Sequence, residues 1–156
     1  VHDDTAERFA RLGGVERCVP SLLQDSCSGP ECGAANAFLS LRFVANLFCK
    51  APSRIGACAR SEEIFAAAKN VEQHAHKNVQ LALVTVLQNL AVCLRDAYAD
   101  FPAEVKKECV QRLSSAALSA KGANEKTAPV VVRCALAGIG TLVAGHGSDF
   151  ESVRTA

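Results

Sequence analysis

Apolar residues recur along this chain at the three- and four-residue intervals of amphipathic α-helices, and the strict alternation of half-buried strands is almost absent. Ala and Leu, which are strong helix formers, dominate the apolar positions, and aromatic residues make up only 5% of the sequence. The pattern therefore predicts an all-α protein. Helices are expected over residues 4–12, 15–25, 35–50, 61–75, 78–98, 103–120, 128–145 and 148–154.

Turn-forming residues separate the predicted helices. A Ser-Gly-Pro loop precedes residue 34, Pro52 and Pro102 interrupt the pattern further on, and a Gly-Ala-Asn segment begins at residue 122. Ser148 and Glu151 have the spacing of a capping box, in which each side chain pairs with an unsatisfied backbone N–H at the start of a helix.

The β-branched run at residues 130–132 is the one segment that could instead be a strand. Thr127 stands where it can cap a helix, and Pro129 suits the first helical turn. The residues that follow continue a helical pattern, so we predict a helix here as well.

Two apolar segments resemble each other and indicate an internal repeat. Residues 39–47 and 82–90 align so that Asn46 and Asn89 are equivalent, 43 residues apart. This spacing matches the roughly 40 to 47 residue period of armadillo and HEAT arrays, whose units stack their apolar faces on one another. A looser third copy falls at residues 140–143. The sequence thus predicts an armadillo/HEAT-like helical superhelix.

Length and charge exclude several function classes. A formal net charge of +1 provides no overall field that would attract nucleic acid or an anionic membrane. The apolar runs are shorter than a bilayer span and are interrupted by polar residues. We expect one soluble, monomeric domain over residues 1–156. Its start at Val1, without Met or a signal-like segment, suggests a fragment of a longer polypeptide.

The eight cysteines fit reduced thiols best. Most fall in apolar helical stretches, where Cys behaves as a small hydrophobe, and a core of this size needs no disulfides. Cys27 and Cys32 share a loop that could close a small disulfide or supply half of a zinc site, but no second pair at ligand spacing accompanies them. Reduced thiols favour a cytoplasmic or nuclear protein.

Polar residues are scarce on two of the predicted helices, which makes their positions informative. Arg42 and Asn46 lie four residues apart on the otherwise apolar helix 35–50, so they share one stripe. Helix 128–145 offers Arg133 and, beyond it, small residues that would let the backbone of a partner approach closely.

Helix 78–98 carries a comparable stripe of Asn78, Thr85 and Asn89. The functional interpretation is a concave groove in which Asn amides pair with the backbone of an extended peptide and Arg guanidinium groups bind its carboxylates. The structural alternative is that the asparagines satisfy carbonyls of neighbouring turns and the arginines cover the edges of the core. The combination of Arg and Asn on an apolar helix favours binding.

Candidates for catalysis or metal binding are weaker. His74 and His76 are alternate residues that diverge on a helix, and no Cys or carboxylate completes a metal site. We expect them at a helix end, where they would stabilise the helix dipole. No cysteine has a distinctive nucleophile context, so no catalytic residue, metal or cofactor is predicted.

Three segments together resemble the PUL domain, the armadillo-like module at the C-terminus of phospholipase-activating WD-repeat proteins. They are residues 36–48 (NAFLSLRFVANLF), 76–89 (HKNVQLALVTVLQN) and 133–142 (RCALAGIGTL). The middle segment is the most distinctive of the three. The chain departs from the family in being shorter than a full PUL domain and in its Cys-rich loops.

The resemblance implies a non-catalytic adapter whose groove binds the C-terminal tail of valosin-containing protein, the hexameric AAA ATPase of ubiquitin-dependent degradation. Arg42 and Arg133 match the placement of two arginines important for tail binding, and Lys77 and Asn78 open the middle motif. Two other classes stay open. One is a structural or oligomerisation module appended to an isopeptidase or thioredoxin-like enzyme, and the other is a thiol enzyme with one cysteine of strongly depressed pKa.

Overall fold

The computed structural model describes residues 8–48, 51–120 and 127–144, and within these ranges it contains helices and turns but no strand. Residues 8–11 are helical. The helices that follow are α1 (Gly14–Ser26), α2 (Ala34–Leu47), α3 (Ala51–Cys58), α4 (Ser61–Val71), α5 (Lys77–Asp96), a 3-10 turn (Tyr98–Asp100), α6 (Ala103–Ala120) and α7 (Ala128–Val143).

The helices pack in two layers. In the first layer α2, α5 and α7 stack side by side with α5 in the middle. In the second layer α1, α4 and α6 stack in the same order and pack on the first layer: α1 on α2, α4 on α5, and α6 on both α5 and α7. Such stacking of helical units on their neighbours confirms the predicted all-α, armadillo-like repeat fold.

The helix α3 was not predicted, because Pro52 was interpreted as a break. Pro52 instead occupies the first turn of α3, where its missing N–H would have had no intrahelical partner. This short helix contacts α1, α2 and α5. The chain between the equivalent residues Asn46 and Asn89 therefore contains a triplet of helices, α3, α4 and α5, rather than a pair.

The β-branched run is helical, as predicted. It lies in the first turns of α7, where Pro129 occupies an early position. Thr127 is the N-cap residue, but its side chain makes no capping hydrogen bond; it is buried, and its carbonyl oxygen accepts the backbone N–H groups of Val130 and Val131.

The central helix α5 supplies more buried residues than any other described helix. Leu83, Leu87, Leu90 and Leu94 are at most 2% exposed, and they form one side of a continuous apolar core with residues of the other helices. By length and composition α5 could cross a membrane, but 61% of its most apolar stretch is buried inside the fold, as in the core helix of many soluble proteins.

Two histidines organise the turn between α4 and α5. The buried His74 accepts the backbone N–H of His76 at Nδ1 (3.0 Å), so its Nε2 carries the hydrogen and donates to the Cys32 carbonyl oxygen (3.0 Å). His76 caps α5 by accepting the Asn78 backbone N–H at 3.3 Å. The expectation that both stabilise the dipole at a helix end is therefore wrong: they tie the turn to the loop before α2 and to the start of α5.

Some predictions fall outside the described residues. These are the helix at 148–154 with its Ser148 and Glu151 cap, the loop at 122–126, and the first part of the helix at 4–12. Helix α4 ends at Val71, four residues before the predicted end, because the chain turns there.

Two glycines of α7 provide a test of the packing between the layers. A Cβ atom at Gly138 would lie 2.9 Å from Leu113 Cδ1 and 3.5 Å from Gln88 Cα, whereas at Gly140 it would meet nothing within 4 Å. Both Gly→Ala changes gain the same helix propensity, so their difference isolates the steric cost. We expect Gly140→Ala to raise the free energy of unfolding by roughly 0.5–1 kcal/mol.

Gly138→Ala is expected to be less stable than Gly140→Ala by about 1–3 kcal/mol, since Leu113 is fully buried and cannot move aside freely. Urea unfolding of both variants measures the difference. Equal stabilities would show that α6 and α7 are not packed as described.

Candidate functional site

The exposed face of the first layer carries most of the residues selected from the sequence. Because α1, α4 and α6 cover one side of this layer, the exposed stripes of α2, α5 and α7 lie on its other side. Arg42, Asn46, Thr85 and Arg133 are all exposed, as is Lys77 at the first position of α5. The structure thus places these residues on three adjacent helices of one layer.

Arg42 is held by an aromatic ring. Its guanidinium carbon lies 5.9 Å from the centroid of Phe38, one helical turn earlier on α2, within the range of a cation–π contact. The ring is partly buried in the core, so it offers a fixed surface on which the guanidinium can rest. No carboxylate in the described part of the chain pairs with Arg42, and its N–H donors remain available to a ligand.

Asn46 and Asn89, which the repeat made equivalent, have different roles. The Asn89 side chain is half-buried and its Nδ2 donates to the Ala45 carbonyl oxygen at 3.2 Å, so it joins α5 to α2. Asn89 therefore satisfies a backbone carbonyl, which was the structural alternative to peptide binding for the asparagines. The Asn46 side chain is exposed on α2 and has no hydrogen-bond partner among the described residues.

The start and middle of α5 present three further polar residues. Lys77 is exposed, and Asn78 is half-buried with its backbone N–H already capped by His76. The Thr85 hydroxyl donates to the Leu81 carbonyl oxygen at 2.7 Å within the helix, which leaves its oxygen as an acceptor. The Asn78 backbone N–H and the Thr85 hydroxyl are therefore already used as donors within the chain. Fewer hydrogen-bond donors are free for a ligand here than the sequence pattern suggested.

On α7, Arg133 stands beside a surface of small residues. Arg133 is exposed without an ion-pair partner in the ranges described, and Ala137 and Gly140 on the same stripe are exposed as well. The Thr141 hydroxyl donates to the Ala137 carbonyl oxygen at 2.8 Å. A partner backbone could approach α7 closely at Gly140, where no side chain lies within 4 Å of the Cβ position.

Charge is distributed unequally between the two layers. The helices α2, α5 and α7 carry four cationic side chains and one carboxylate, namely Arg42, Lys77, Arg95 and Arg133 against Asp96. The helices α1, α4 and α6 carry five cationic side chains and six carboxylates. The near-neutral chain therefore has one locally basic layer.

The only carboxylate of that layer is itself neutralised. Asp96 is paired with Arg95 at 2.6 Å and also with Arg54 of α3. Hydrogen bonds from Arg95 and from Arg54 hold the pKa of Asp96 below its usual value, so it is ionised and occupied by its own partners. A negatively charged ligand would meet little repulsion from it.

The sequence reasoning missed a pair of thiols behind this layer. Cys58 of α3 and Cys93 of α5 are both buried, and the Cys93 thiol donates a weak hydrogen bond to the Arg54 carbonyl oxygen of α3 at 3.8 Å. The neighbouring Cys58 and Arg54 lower the pKa of Cys93, whereas the neighbouring Cys93 and burial raise the pKa of Cys58. Arg54 and Cys58 are four residues apart, a spacing that places two residues on the same face of a helix. This segment was not predicted to be helical, so the spacing was not interpreted.

The other described cysteines are free thiols, including both members of the loop pair Cys27 and Cys32. Burial raises the pKa of Cys27 to about 11. Among the residues described there is no cluster of three or more His, Cys, Asp or Glu that could hold a metal ion.

Comparison with protein families supports the interpretation drawn from the three motifs. The family model of the PUL domain matches residues 1–156. Searches of curated proteins and of solved structures gave no match. PUL domains are helical protein-interaction modules, and this chain belongs to the PUL domain family.

Proposed function

We propose that this chain is a non-catalytic adapter whose first layer binds the C-terminal tail of the AAA ATPase valosin-containing protein, in ubiquitin-dependent degradation in the cytoplasm or nucleus. The observation that supports the proposal is the basic exposed face shared by α2, α5 and α7 in an otherwise near-neutral chain. Membership of a family of protein-interaction modules agrees with it.

The residues of this face suit an extended acidic peptide. Arg42 and Arg133 would each bind a side-chain or terminal carboxylate through the planar fork of the guanidinium. Asn46 offers both an amide donor and an acceptor to the peptide backbone, and Asn89 keeps its amide oxygen as an acceptor. Lys77, at one end of α5, adds a cation that steers an acidic tail towards the face.

Oligomerisation is the second candidate, and a specific observation favours it. Leu118 of α6 and Leu136 of α7 are 67% and 59% exposed, on two helices that pack together. A structural module appended to an isopeptidase or thioredoxin-like enzyme could use such leucines to associate. We expect the chain to be a monomer in sedimentation velocity; a dimer that Leu118→Ser with Leu136→Ser dissociates would favour this second function.

The proposed site predicts that the two arginines dominate tail binding. Arg42→Ala and Arg133→Ala should each weaken the affinity for a labelled tail peptide about tenfold, and the double variant more, because each removes a charge-assisted hydrogen-bonding group. Arg42→Lys should fall between wild type and Arg42→Ala, since it keeps the charge but loses the fork. Fluorescence anisotropy measures each affinity.

Lys69→Ala is the matched control for this experiment. It removes one positive charge from α4 in the second layer, where Lys69 is exposed and pairs with Glu108. Binding of the tail should stay within about twofold of wild type, because an exposed ion pair away from the site contributes little. Equal affinities of wild type and the double arginine variant would remove the proposed site.

The two equivalent asparagines should separate binding from stability. Asn89→Ala removes the hydrogen bond to the Ala45 carbonyl and is expected to lower the free energy of unfolding by about 1 kcal/mol. Asn46→Ala should change stability by less than about 0.5 kcal/mol and weaken tail binding, since the Asn46 side chain is exposed and makes no hydrogen bond within the described region. Urea unfolding and anisotropy on the same samples test this, and a destabilised Asn46→Ala with normal binding would contradict it.

A further inference from the structure

An open groove lies between α1 and the exposed stripe of α2. Its volume is about 640 Å³, which is within the range of sites that enclose small ligands or large side chains. Its walls are mainly apolar and include Phe9, Leu22, Leu39 and Phe43. Leu39 is 61% exposed and Phe43 is 37% exposed, and a contiguous exposed apolar surface is a common mark of a binding site. We propose that this α1/α2 groove binds a bulky apolar side chain of the same acidic peptide whose carboxylates bind the first layer; the inference rests on the function proposed above.

The aromatic wall of the groove is preformed. Phe9 and Phe43 pack edge to face, with ring centroids 5.9 Å apart and an angle of 85° between the ring planes. A Cβ atom at Gly14 would overlap the Phe9 ring, so a glycine at the start of α1 leaves room for this ring. Phe9 also packs against the buried core. A ligand side chain would therefore enter a surface that needs little reorganisation, which lowers the entropic cost of binding.

The groove continues the stripe that carries Arg42. Each residue of a helix is rotated by about 100° from the one before it, so Asn46, Leu39 and Phe43 follow Arg42 in that order around one side of α2. All four residues are exposed. On the other side of Arg42 lies Ala45, whose carbonyl oxygen accepts the hydrogen bond from α5. A peptide that crosses from α5 over Arg42 therefore reaches Leu39 and Phe43 next, and then the groove.

Two charged side chains stand at opposite ends of the groove. Phe9 precedes α1 and pairs with Phe43 near the end of α2, so the two helices run antiparallel. Arg17, near the start of α1, is thus at the end of the groove close to Phe43, and Asp25 is at the other end. Neither side chain forms an ion pair with another described residue. A carboxylate would be attracted to the Arg17 end and repelled at the Asp25 end, so the acidic part of the peptide lies on the Arg42 side.

Helix spacing predicts where the apolar residue stands in the peptide. Packed helices lie about 8–10 Å apart and an extended chain rises about 3.3 Å per residue, so carboxylates bound at Arg42 and Arg133, two helix spacings apart, are separated by about five or six residues. A helix with its side chains is about 10–12 Å wide, so the path from Arg42 over α2 into the groove takes about two to four residues. The apolar residue is therefore expected near one end of the bound segment, beyond the carboxylate at Arg42 and not between the two carboxylates.

Leucine substitutions at matched positions test the groove. Leu39→Ala removes part of the groove wall, whereas Leu118→Ala removes a similarly exposed leucine of α6 that lies outside the groove. Leu39→Ala should weaken the affinity for the labelled tail peptide about fivefold, and Leu118→Ala should stay within about twofold of wild type, because only the first loses apolar contact with the ligand. Leu39 is mostly exposed, so this variant should keep its fold, and urea unfolding checks that.

Alanine substitutions in the tail identify the side chain that the groove binds. Each bulky apolar residue of the tail peptide is replaced by Ala in turn, and each peptide is measured with wild type and with Leu39→Ala. For one of these residues, the loss should be about fivefold with wild type and less than about twofold with Leu39→Ala, since a contact that is already lost cannot be lost again. Added sodium chloride should reduce the effect of Arg42→Ala but leave that of Leu39→Ala unchanged, because salt screens charges and not apolar contacts.

The exposed thiol of Cys18 reports directly whether the groove is occupied. Cys18 lies in the groove wall, and trypsin releases it in peptide 18–42 together with Cys27 and Cys32. With saturating tail peptide, alkylation of Cys18 should slow at least about fivefold, while that of the half-buried Cys32, outside the groove, should change less than about twofold. Fragmentation of peptide 18–42 in the mass spectrometer assigns each alkylated thiol.

The possible results separate this inference from the proposed function. If tail binding depends on Arg42 and Arg133 while Leu39→Ala binds like wild type or like Leu118→Ala, the groove is not part of the site and the proposed function stands. The same conclusion follows if no tail residue couples to Leu39, or if the tail does not protect Cys18. If wild type does not bind the tail, both proposals are removed. A dimer that Leu39→Ala dissociates in sedimentation velocity would place a second copy in the groove and would also overturn the inference.

Discussion

The burial of α5 between α2 and α7 is the packing on which both layers depend. Its leucines at 83, 87, 90 and 94 point into the apolar core, and each such side chain contributes about 1.5–3 kcal/mol relative to an exposed one. Because neighbours on both sides, and α4 and α6 behind it, cover so much of α5, only one narrow stripe remains for polar residues. The same packing that stabilises the fold therefore limits the positions that a ligand can reach.

The uneven distribution of carboxylates between the two layers explains how a near-neutral chain can have a basic surface. Carboxylates are nearly absent from the first layer, while the second layer carries six of them among its helices. At physiological ionic strength charges are screened over about 8 Å, so a ligand at the first layer senses the local cations more than the net charge. Arg42 adds a preorganised group, because stacking on Phe38 reduces the side-chain entropy that binding would otherwise cost.

The sequence alone predicted the elements whose periodicity is strong. The helices α2, α5, α6 and α7, and the adjacency of α2 and α5, followed from apolar spacing and from the repeat of Asn46 and Asn89. The helix α3 was missed because a proline was given more weight as a helix breaker than as a first-turn residue. The role of His74 was also missed, since its bond to the Cys32 carbonyl joins segments that are 42 residues apart.

The sequence predicted which residues of the candidate site are exposed, but not which of them already form hydrogen bonds within the fold. Spacing placed Arg42, Asn46 and Arg133 on exposed stripes, and the structure agrees. The same spacing treated Asn46 and Asn89 alike, although only Asn89 faces a backbone carbonyl of the next helix. Which of two equivalent amides is used internally depends on how the helices pack, and no local pattern in the sequence records that.

The ion pair between α3 and α5 affects the charge of the first layer. Asp96 is the single carboxylate among the helices of the first layer, and Arg54 reaches it from α3 while Arg95 reaches it from α5 itself. If α3 moved away from α5, Arg54 would move with it. Arg95 would then be the one cation left to balance Asp96 at the end of the basic face. The short helix α3 thereby helps to keep the first layer positive, although it contributes no residue to the exposed stripes.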